Sequence, residues 1–363
     1  MRGRPELYTS YRQELSLLNT VPKRVWVGAI LAMALLLPFM LQDDVLTLLA
    51  TGFAASIGAI GLNIVTGYAG QVSLGHAFFL GLGAYTAAAV SGDEDARVIG
   101  FGITELPVWL LAAGLVAALA GAIVAPLAVR LRGLYLAIVT LGLVFIGEFV
   151  FKEWSELTGG QGVGRQAAVP TLFGQRLDTD GEMFTEIQKL YLLMLVLLVI
   201  FAVLARNFVR SRSGRALAAV RDRDIAAAVI GVNLTRYKMI AFAASSFYAG
   251  VAGALVYLIS GYIEPTSFNL LLSVQYIAMI LIGGVATISG SIMGAMFVTL
   301  LPRITDELQG VVPLLGTDAT DLAQVRAILY GLLIIGFLIF EPRGLYGIWI
   351  RIRNYWKSWP FSY

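Results

Sequence analysis

The 363-residue chain contains no cysteine and a single histidine, His76. Disulfides, thiol chemistry and Cys-ligated metals are thereby excluded, and one imidazole cannot build an ordinary zinc site. Charge is scarce as well: 13% of residues are Asp, Glu, Lys or Arg, about half the ~25% usual in soluble domains. No Gly-Lys pair occurs anywhere, so the chain has no phosphate-binding G-x-x-x-x-G-K-[ST] loop and no ATPase site of its own. Beyond His76 and scattered serines there is no Ser/His/Asp set, no metal cluster and no other catalytic residue to nominate. The expectation is a non-enzyme without a cofactor of its own and without a nucleic-acid partner.

What is present is apolar. The chain is 58% hydrophobic with 39 glycines, and its mean hydropathy is +0.80. These totals predict an all-α polytopic membrane protein. Residues 45–92 carry no charge at all, and 48 residues of helix would measure ~72 Å, enough for two crossings and a turn. Spans are expected at Val25–Leu41, Val45–Thr66, Ala77–Val90, Pro107–Val129, Leu134–Val150, Leu190–Ala205 and Met239–Ser260. Two short spans fit the uncharged stretch from Pro265 to Pro302, and a last one fits Val325–Phe340. The total is about 10 transmembrane helices in one domain, 25–340, between a polar arm, 1–24, and a basic, aromatic tail, 341–363. The first apolar run lacks a small-residue cleavage pattern, so no cleavable signal peptide is expected.

Charge orients this arrangement. The segments 1–24, 130–133, 206–238 and 341–363 hold nineteen of the 26 Lys and Arg. Acidic residues run the other way, with Asp93, Glu94 and Asp95 in one loop and a long polar loop at 151–189. Basic loops stay inside, so both termini are expected in the cytoplasm, with 151–189 and the polar loop 303–324 outside. The tail, with Arg343, Arg351, Arg353, Trp356, Lys357 and Trp359, suits an interfacial anchor in contact with membrane lipid.

Two glycine-rich breaks interrupt the uncharged stretches. The first lies in Gly61-Leu-Asn-Ile-Val-Thr-Gly-Tyr-Ala-Gly-Gln-Val-Ser-Leu-Gly-His-Ala77, where Asn63, Thr66, Gln71, Ser73 and His76 gather. The second is Gly283-Gly-Val-Ala-Thr-Ile-Ser-Gly-Ser291, which contributes Ser289 and Ser291. Irregular backbone is tolerated at membrane depth only where protein or a water-filled cavity covers it. These polar side chains therefore either line a solute path or satisfy the backbone of a broken helix. Both breaks follow inward-running spans and fall on the cytoplasmic side, which argues against their being mates in an inverted repeat. Glu148, near the outer end of the fifth span, is the main ionisable group within a span. It could meet a ligand ammonium or a neighbouring subunit, or reach the interface. Secondary transporters keep such groups at depth for ion coupling, and their scarcity here points to a permease energised by something else.

The segment 206–238 is the candidate link to that energy source. Gly214–Ala228 has the alanine content of a short exposed helix, and Gly231 with Asn233 suits a helix stop. Arg215, Arg221, Asp222, Arg223 and Asp224 are then available to a partner.

The Gly61–Ala77 run resembles the signature of the branched-chain amino acid ABC permeases, in particular the M-type subunit of the Liv family. The resemblance continues through Leu131–Leu141, Glu148, Leu157-Thr-Gly-Gly160, Ser213-Gly-Arg-Ala216, Arg221, Ile225-Ala-Ala227 with Gly231, Gly283–Gly290 and Pro342-Arg-Gly-Leu345. It implies one half of a two-permease core, a heterodimer in the cytoplasmic (inner) membrane of a prokaryote. It also implies two cytoplasmic ATP-binding subunits that use the ATP and an extracytoplasmic substrate-binding protein. Urea and short-chain amide permeases share much of the pattern, and a stand-alone channel or facilitator is the remaining alternative. Two positions depart from relatives. Ile225 stands where importer loops often carry Glu, and Gln161-Gly-Val-Gly164 follows Gly160 where a polar pair is common.

Overall fold

The computed structural model describes residues 21–93, 98–131, 133–179, 184–309 and 343–358, with scattered positions between 328 and 341. The arm before residue 21, Glu94 and Asp95, most of the 303–324 loop and most of the expected last span lie outside the described residues. Among the described residues, six helices are long and apolar enough to cross a membrane, and shorter apolar helices occur at Arg24–Phe39, His76–Ser91 and Ile288–Ile304.

In chain order, α1 is Val21–Leu36, and α2 is Asp43–Asn63, which runs on into a wider π turn, Ile64–Tyr68. Next come α3, His76–Ser91, α4, Leu106–Arg130, α5, Leu134–Glu153, and the single turn α6, Ser155–Thr158. The 151–189 loop is not wholly irregular: it carries short strands β1, Arg165–Gln166, β2, Thr171–Leu172, and β3, Gln175–Arg176. Strands β2 and β3 form a hairpin, and β1 pairs antiparallel with β4, Tyr262–Ile263. Helix α7 is Glu186–Arg210, opened by a capping box in which Thr185 and Gln188 satisfy one another's backbone. The basic segment forms α8, Arg212–Asp222, and α9, Asp224–Val229. Then follow α10, Leu234–Ser260, α11, Leu270–Gly283, α12, Ile288–Gln309, and the terminal α13, Gly344–Ser358.

Helix α10 is the hub, packed on α4, α3 and α2, and α2 in turn packs on α12, α7 and α11. Apolar lipid gives no hydrophobic drive for helices to associate, so close backbone approach through small residues has to do it. The sequence supplies that surface. Gly83 of α3 lies on the Gly250 backbone, and Gly253 of α10 lies on the Leu80 carbonyl, with no room for a Cβ at either crossing. The abundance of glycine and alanine is thus a packing requirement. Gly253→Leu is expected to separate α3 from α10 and to lower the yield of detergent-stable protein several-fold, read by fluorescence-detected gel filtration. An unchanged, monodisperse yield would show that this crossing is not needed.

The helix ends sort by charge. The C-terminal ends of α2, α4, α7 and α11, with α8, α9 and the start of α13, lie at one end. That end carries Arg130, Arg206, Arg210, Arg221 and Arg343. At the other end, Tyr191 Oη of α7 donates to the Ala34 carbonyl of α1 at 3.0 Å, and the β1–β4 pair closes over the helix tips.

Candidate functional site

Helix α3, of 16 residues, and the apolar part of α12, Ile288–Ile304, reach only ~24–26 Å, short of the ~30 Å apolar layer of a bilayer. The breaks beside them therefore leave backbone polar groups at a depth where water cannot serve them. Asn63, the last residue of α2, meets that demand. Its Nδ2 donates to the Thr287 carbonyl at 3.0 Å and to Ser291 Oγ at 2.6 Å, and its Oδ1 accepts from the Ala286 N–H at 2.8 Å. Ser291 Oγ also donates to the Thr287 carbonyl at 3.1 Å, and Thr287 Oγ1 closes the turn onto the Gly284 carbonyl at 2.7 Å. The two glycine breaks, 67–75 and 284–287, are thus one structure, clamped by a single carboxamide. Gly67 makes the approach possible, since a Cβ there would strike Asn63 Oδ1 and the Ala286 amide.

The other polar residues of the first break act separately. Gln71 turns back on its own loop, its side chain donating to the Ala69 carbonyl at 3.3 Å and its N–H to Val65 at 2.9 Å. Ser73 Oγ accepts from the Gly75 N–H at 3.4 Å. Thr140 of α5 accepts from the Leu74 N–H at 2.9 Å, and Ser273 of α11 accepts from the Ala77 N–H at 3.0 Å, pinning the loop on two sides. His76 is buried, with its ring 4.9 Å from that of Tyr276 and its Nε2 without a partner. Thr66 Oγ1 is likewise buried and unpartnered. Ser289 faces outward, away from the clamp. Asn63 and Ser291 are therefore joined directly, whereas Thr66, Gln71, Ser73, His76 and Ser289 take no part in their clamp. Thr140, Ser273, Tyr276 and Thr287 belong to the site although sequence reasoning did not single them out. The last had a visible signal, being a third hydroxyl inside the second break beside Ser289 and Ser291.

The basic segment reaches the same place. Arg221 of α8 donates from Nη1 to the Gly67 carbonyl at 3.1 Å, its stem lies over Gly70, and its Nε bonds Asp222 at 3.2 Å. The expected single helix is broken at Arg223, whose extended backbone (φ −156°, ψ 100°) separates α8 from α9. Gly231 ends α9 with φ +88°, as expected of a helix stop, whereas Asn233 opens α10 by accepting from the Arg236 N–H at 3.0 Å. Arg215 donates to the Arg210 carbonyl at 2.9 Å, and Asp224 stands in the first turn of α9. On α9 and at its C-terminal cap, Ile225, Val229 and Ile230 are 70%, 82% and 76% exposed, an apolar patch in the basic segment. The i, i+4 spacing of Ile225 and Val229 was its signal in the sequence.

Glu148 of α5 is paired with Lys152 one turn away at 2.7 Å, and both are partly exposed. Such a pair contributes at most ~1 kcal/mol. Glu148→Gln is expected to leave transport within about twofold of the parent, as measured by initial uptake rates. A tenfold loss would give the carboxylate a direct part in the path.

At the end opposite α8 and α9, a cleft of about 1180 Å³ lies between the loop that precedes α4 and the 155–176 segment. Its organiser is Arg165, buried and bonded to the carbonyls of Ile99 (2.8 Å), Leu157 (2.9 Å) and Ala88 (2.6 Å). Burial pulls this guanidinium below its ordinary pKa, with Tyr257 and Tyr85 working the other way. The Gly159–Gly164 loop closes the rim, its Gly162 N–H donating to Glu264 at 3.2 Å. Among the described residues there is no cluster of His, Cys, Asp or Glu able to hold a metal.

This combination has counterparts. The family described as "Branched-chain amino acid transport system / permease component" matches residues 45–338. The high-affinity branched-chain amino acid transport system permease protein LivM of Escherichia coli is 31% identical over 344 residues, covering 90% of this chain and 76% of that protein. The corresponding BraD of Pseudomonas aeruginosa is 25% identical over 308 residues, covering 82% and 93%. The fructose import permease protein FrcC of Rhizobium meliloti is 31% identical over 203 residues, 54% of this chain and 52% of its own. No solved structure matches the chain.

Proposed function

The chain belongs to the permease family of branched-chain amino acid transport systems, and on that premise we propose that it is one permease half of an ATP-driven importer of branched-chain or related hydrophobic amino acids. The observation that carries the mechanism is the contact of Arg221 with the Gly67 carbonyl, which joins the basic cytoplasmic segment to the first break. Movement imposed on α8 and α9 by separate ATP-binding subunits travels through Arg221 to residues 67–70. From there it reaches the second break through Asn63, which both breaks share. Opening the path then amounts to parting Asn63 from Ala286, Thr287 and Ser291.

The rest of the assembly follows the same reading. Both termini are cytoplasmic, since the end that carries α8, α9 and α13 is the basic one, and the chain makes about ten crossings. The second permease completes the path, and a soluble binding protein delivers solute to the cleft around Arg165. The apolar patch of Ile225, Val229 and Ile230 is the seat for an ATP-binding subunit. Here Ile225 replaces a charged contact with an apolar one.

Reconstitution in proteoliposomes with the ATP-binding subunits, second permease and binding protein tests this reading. ATP-dependent accumulation of leucine, isoleucine or valine is expected, with urea and acetamide excluded. Equal uptake without the ATP-binding subunits would make the chain a facilitator. Accumulation of urea in place of leucine would overturn the substrate class.

A further inference from the structure

Helix α13 is amphipathic in a particular way. At about 100° per residue, Ile348, Ile352 and Tyr355 share one face with Trp349 beside them, and Arg351 and Arg353 fall on its two edges. That apolar face is open, with Ile348 37% and Ile352 48% exposed. Trp349 meets Trp26 at the start of α1 edge to face, ring centres 6.3 Å apart. The helix thus lies at the level where the first apolar helix enters the bilayer, the depth at which Trp residues gather. An apolar stripe edged on one side by Arg353, and on the other by Arg351 in its bridge to Glu341, matches a layer of acyl chains beneath anionic headgroups.

The other end of the same helix is built into the second break. Gly344, at φ +62°, has no room for a Cβ, which would strike the Ile282 carbonyl, Gly283 and the Gly284 amide at 2.5–2.8 Å. Gly284 in turn lies under the Arg343 carbonyl and Tyr346 Cβ, and Glu341 holds the first turns through a bridge to Arg351. The first turn of α13 is therefore the outer wall of the turn that Asn63 clamps.

We propose that α13 is a binding surface for acidic phospholipid, and that lipid held there keeps the second break in place, so that transport depends on membrane charge. The leaflet concerned rests on the orientation proposed above. The alternative occupant, an ATP-binding subunit, becomes an outcome of the test.

Because the natural chain has no cysteine, Ile352→Cys places a single thiol on the apolar face for an environment-sensitive fluorophore. The labelled full-length chain is compared in nanodiscs of phosphatidylcholine and of equal parts phosphatidylcholine and phosphatidylglycerol. Phosphatidylglycerol is expected to blue-shift the emission, and Arg353→Gln to cut the inserted fraction about fivefold, the weight of ~1 kcal/mol per basic residue at an anionic surface. High salt should reverse the shift. Identical emission in both lipids, or a shift only when ATP-binding subunits are added, would overturn the lipid assignment. In the assembled importer, phosphatidylglycerol is expected to raise ATP-driven uptake for the parent and not for Arg353→Gln. Insertion without any lipid dependence of uptake would overturn the link to the break. The fluorescence measurement needs neither substrate nor ATP, so it stands apart from the substrate reading.

Discussion

Replacing Asn63 with alanine is expected to lower ATP-driven uptake at least thirtyfold while the importer remains assembled. The substitution removes two donated bonds and one accepted bond between breaks that are 223 to 228 residues apart in the chain. It leaves the Ala286 N–H without its side-chain partner, whereas the Thr287 carbonyl keeps the Ser291 N–H and Oγ. One unsatisfied buried N–H costs ~1–3 kcal/mol and each of the two lost donated bonds ~0.5–1.5 kcal/mol, so a total of about 2–6 kcal/mol moves the balance between the clamped and parted breaks by roughly 30-fold or more. The likeness in size between Asn and Asp offers a control. Asn63→Asp keeps the acceptor for Ala286 but sets a carboxylate oxygen against the Thr287 carbonyl, and it should do no better than alanine. Ser291→Ala should lose less, and the double variant should be less damaging than the sum, because both single changes break the same bond. The measurements are uptake in proteoliposomes and, in parallel, co-purification of the subunits. Normal uptake by Asn63→Ala would remove the clamp from the mechanism, and loss of assembly would place Asn63 in the fold alone.

The paired substitution Ile225→Asp and Val229→Asp should abolish co-purification of the ATP-binding subunits. Both side chains are largely exposed in the isolated chain, so their replacement leaves the membrane core untouched. Placed in an interface, each carboxylate would lose its water without gaining a counter-ion, at a cost of several kcal/mol apiece. A fall of two orders of magnitude or more in affinity follows, read by pull-down or by light scattering of ATP-binding subunits on permease nanodiscs. Arg221→Gln provides the contrast. It keeps the patch and breaks the bond to Gly67, so ATP-binding subunits should still bind while uptake and ATP hydrolysis lose their coupling. If the doubly acidic variant still retained its ATP-binding subunits, their seat would lie elsewhere.

The apolar spans were legible because hydropathy and length are local properties, and the structure places helices at each expected span that falls within the described residues. The breaks were legible too, since Gly67, Gly70, Gly283 and Gly284 stand out in uncharged surroundings. Their union was not. Asn63 and Ser291 were both nominated as polar residues of a break, but one sequence carries no sign that residues so far apart touch. The opposite difficulty arose with His76, Gln71 and Ser73, which were grouped with Asn63 by proximity in sequence. A loop that turns back on itself sends neighbouring side chains in different directions, so closeness along the chain did not gather them around Asn63. The Gly214–Ala228 helix was read correctly as helical in composition, yet Arg223 divides it, because Asp224 opens a second short helix with its own direction. Asn233, a residue that serves either end of a helix, caps the one that follows.

The clamp at Asn63 has an electrical consequence. Irregular backbone at membrane depth normally calls for water, and a file of water is a route for protons and small ions. A carboxamide that serves the Ala286 amide and the Thr287 carbonyl takes bonds that water would otherwise fill. The resting permease then needs fewer waters at this depth while the membrane is energised. The voltage it must hold off is worth ~2.3 kcal/mol per charge for each 100 mV, and a leak there would discharge the cell between rounds of import. On this account the asparagine serves insulation as much as opening, and variants that lose it should raise ion conductance before they alter which amino acid is carried.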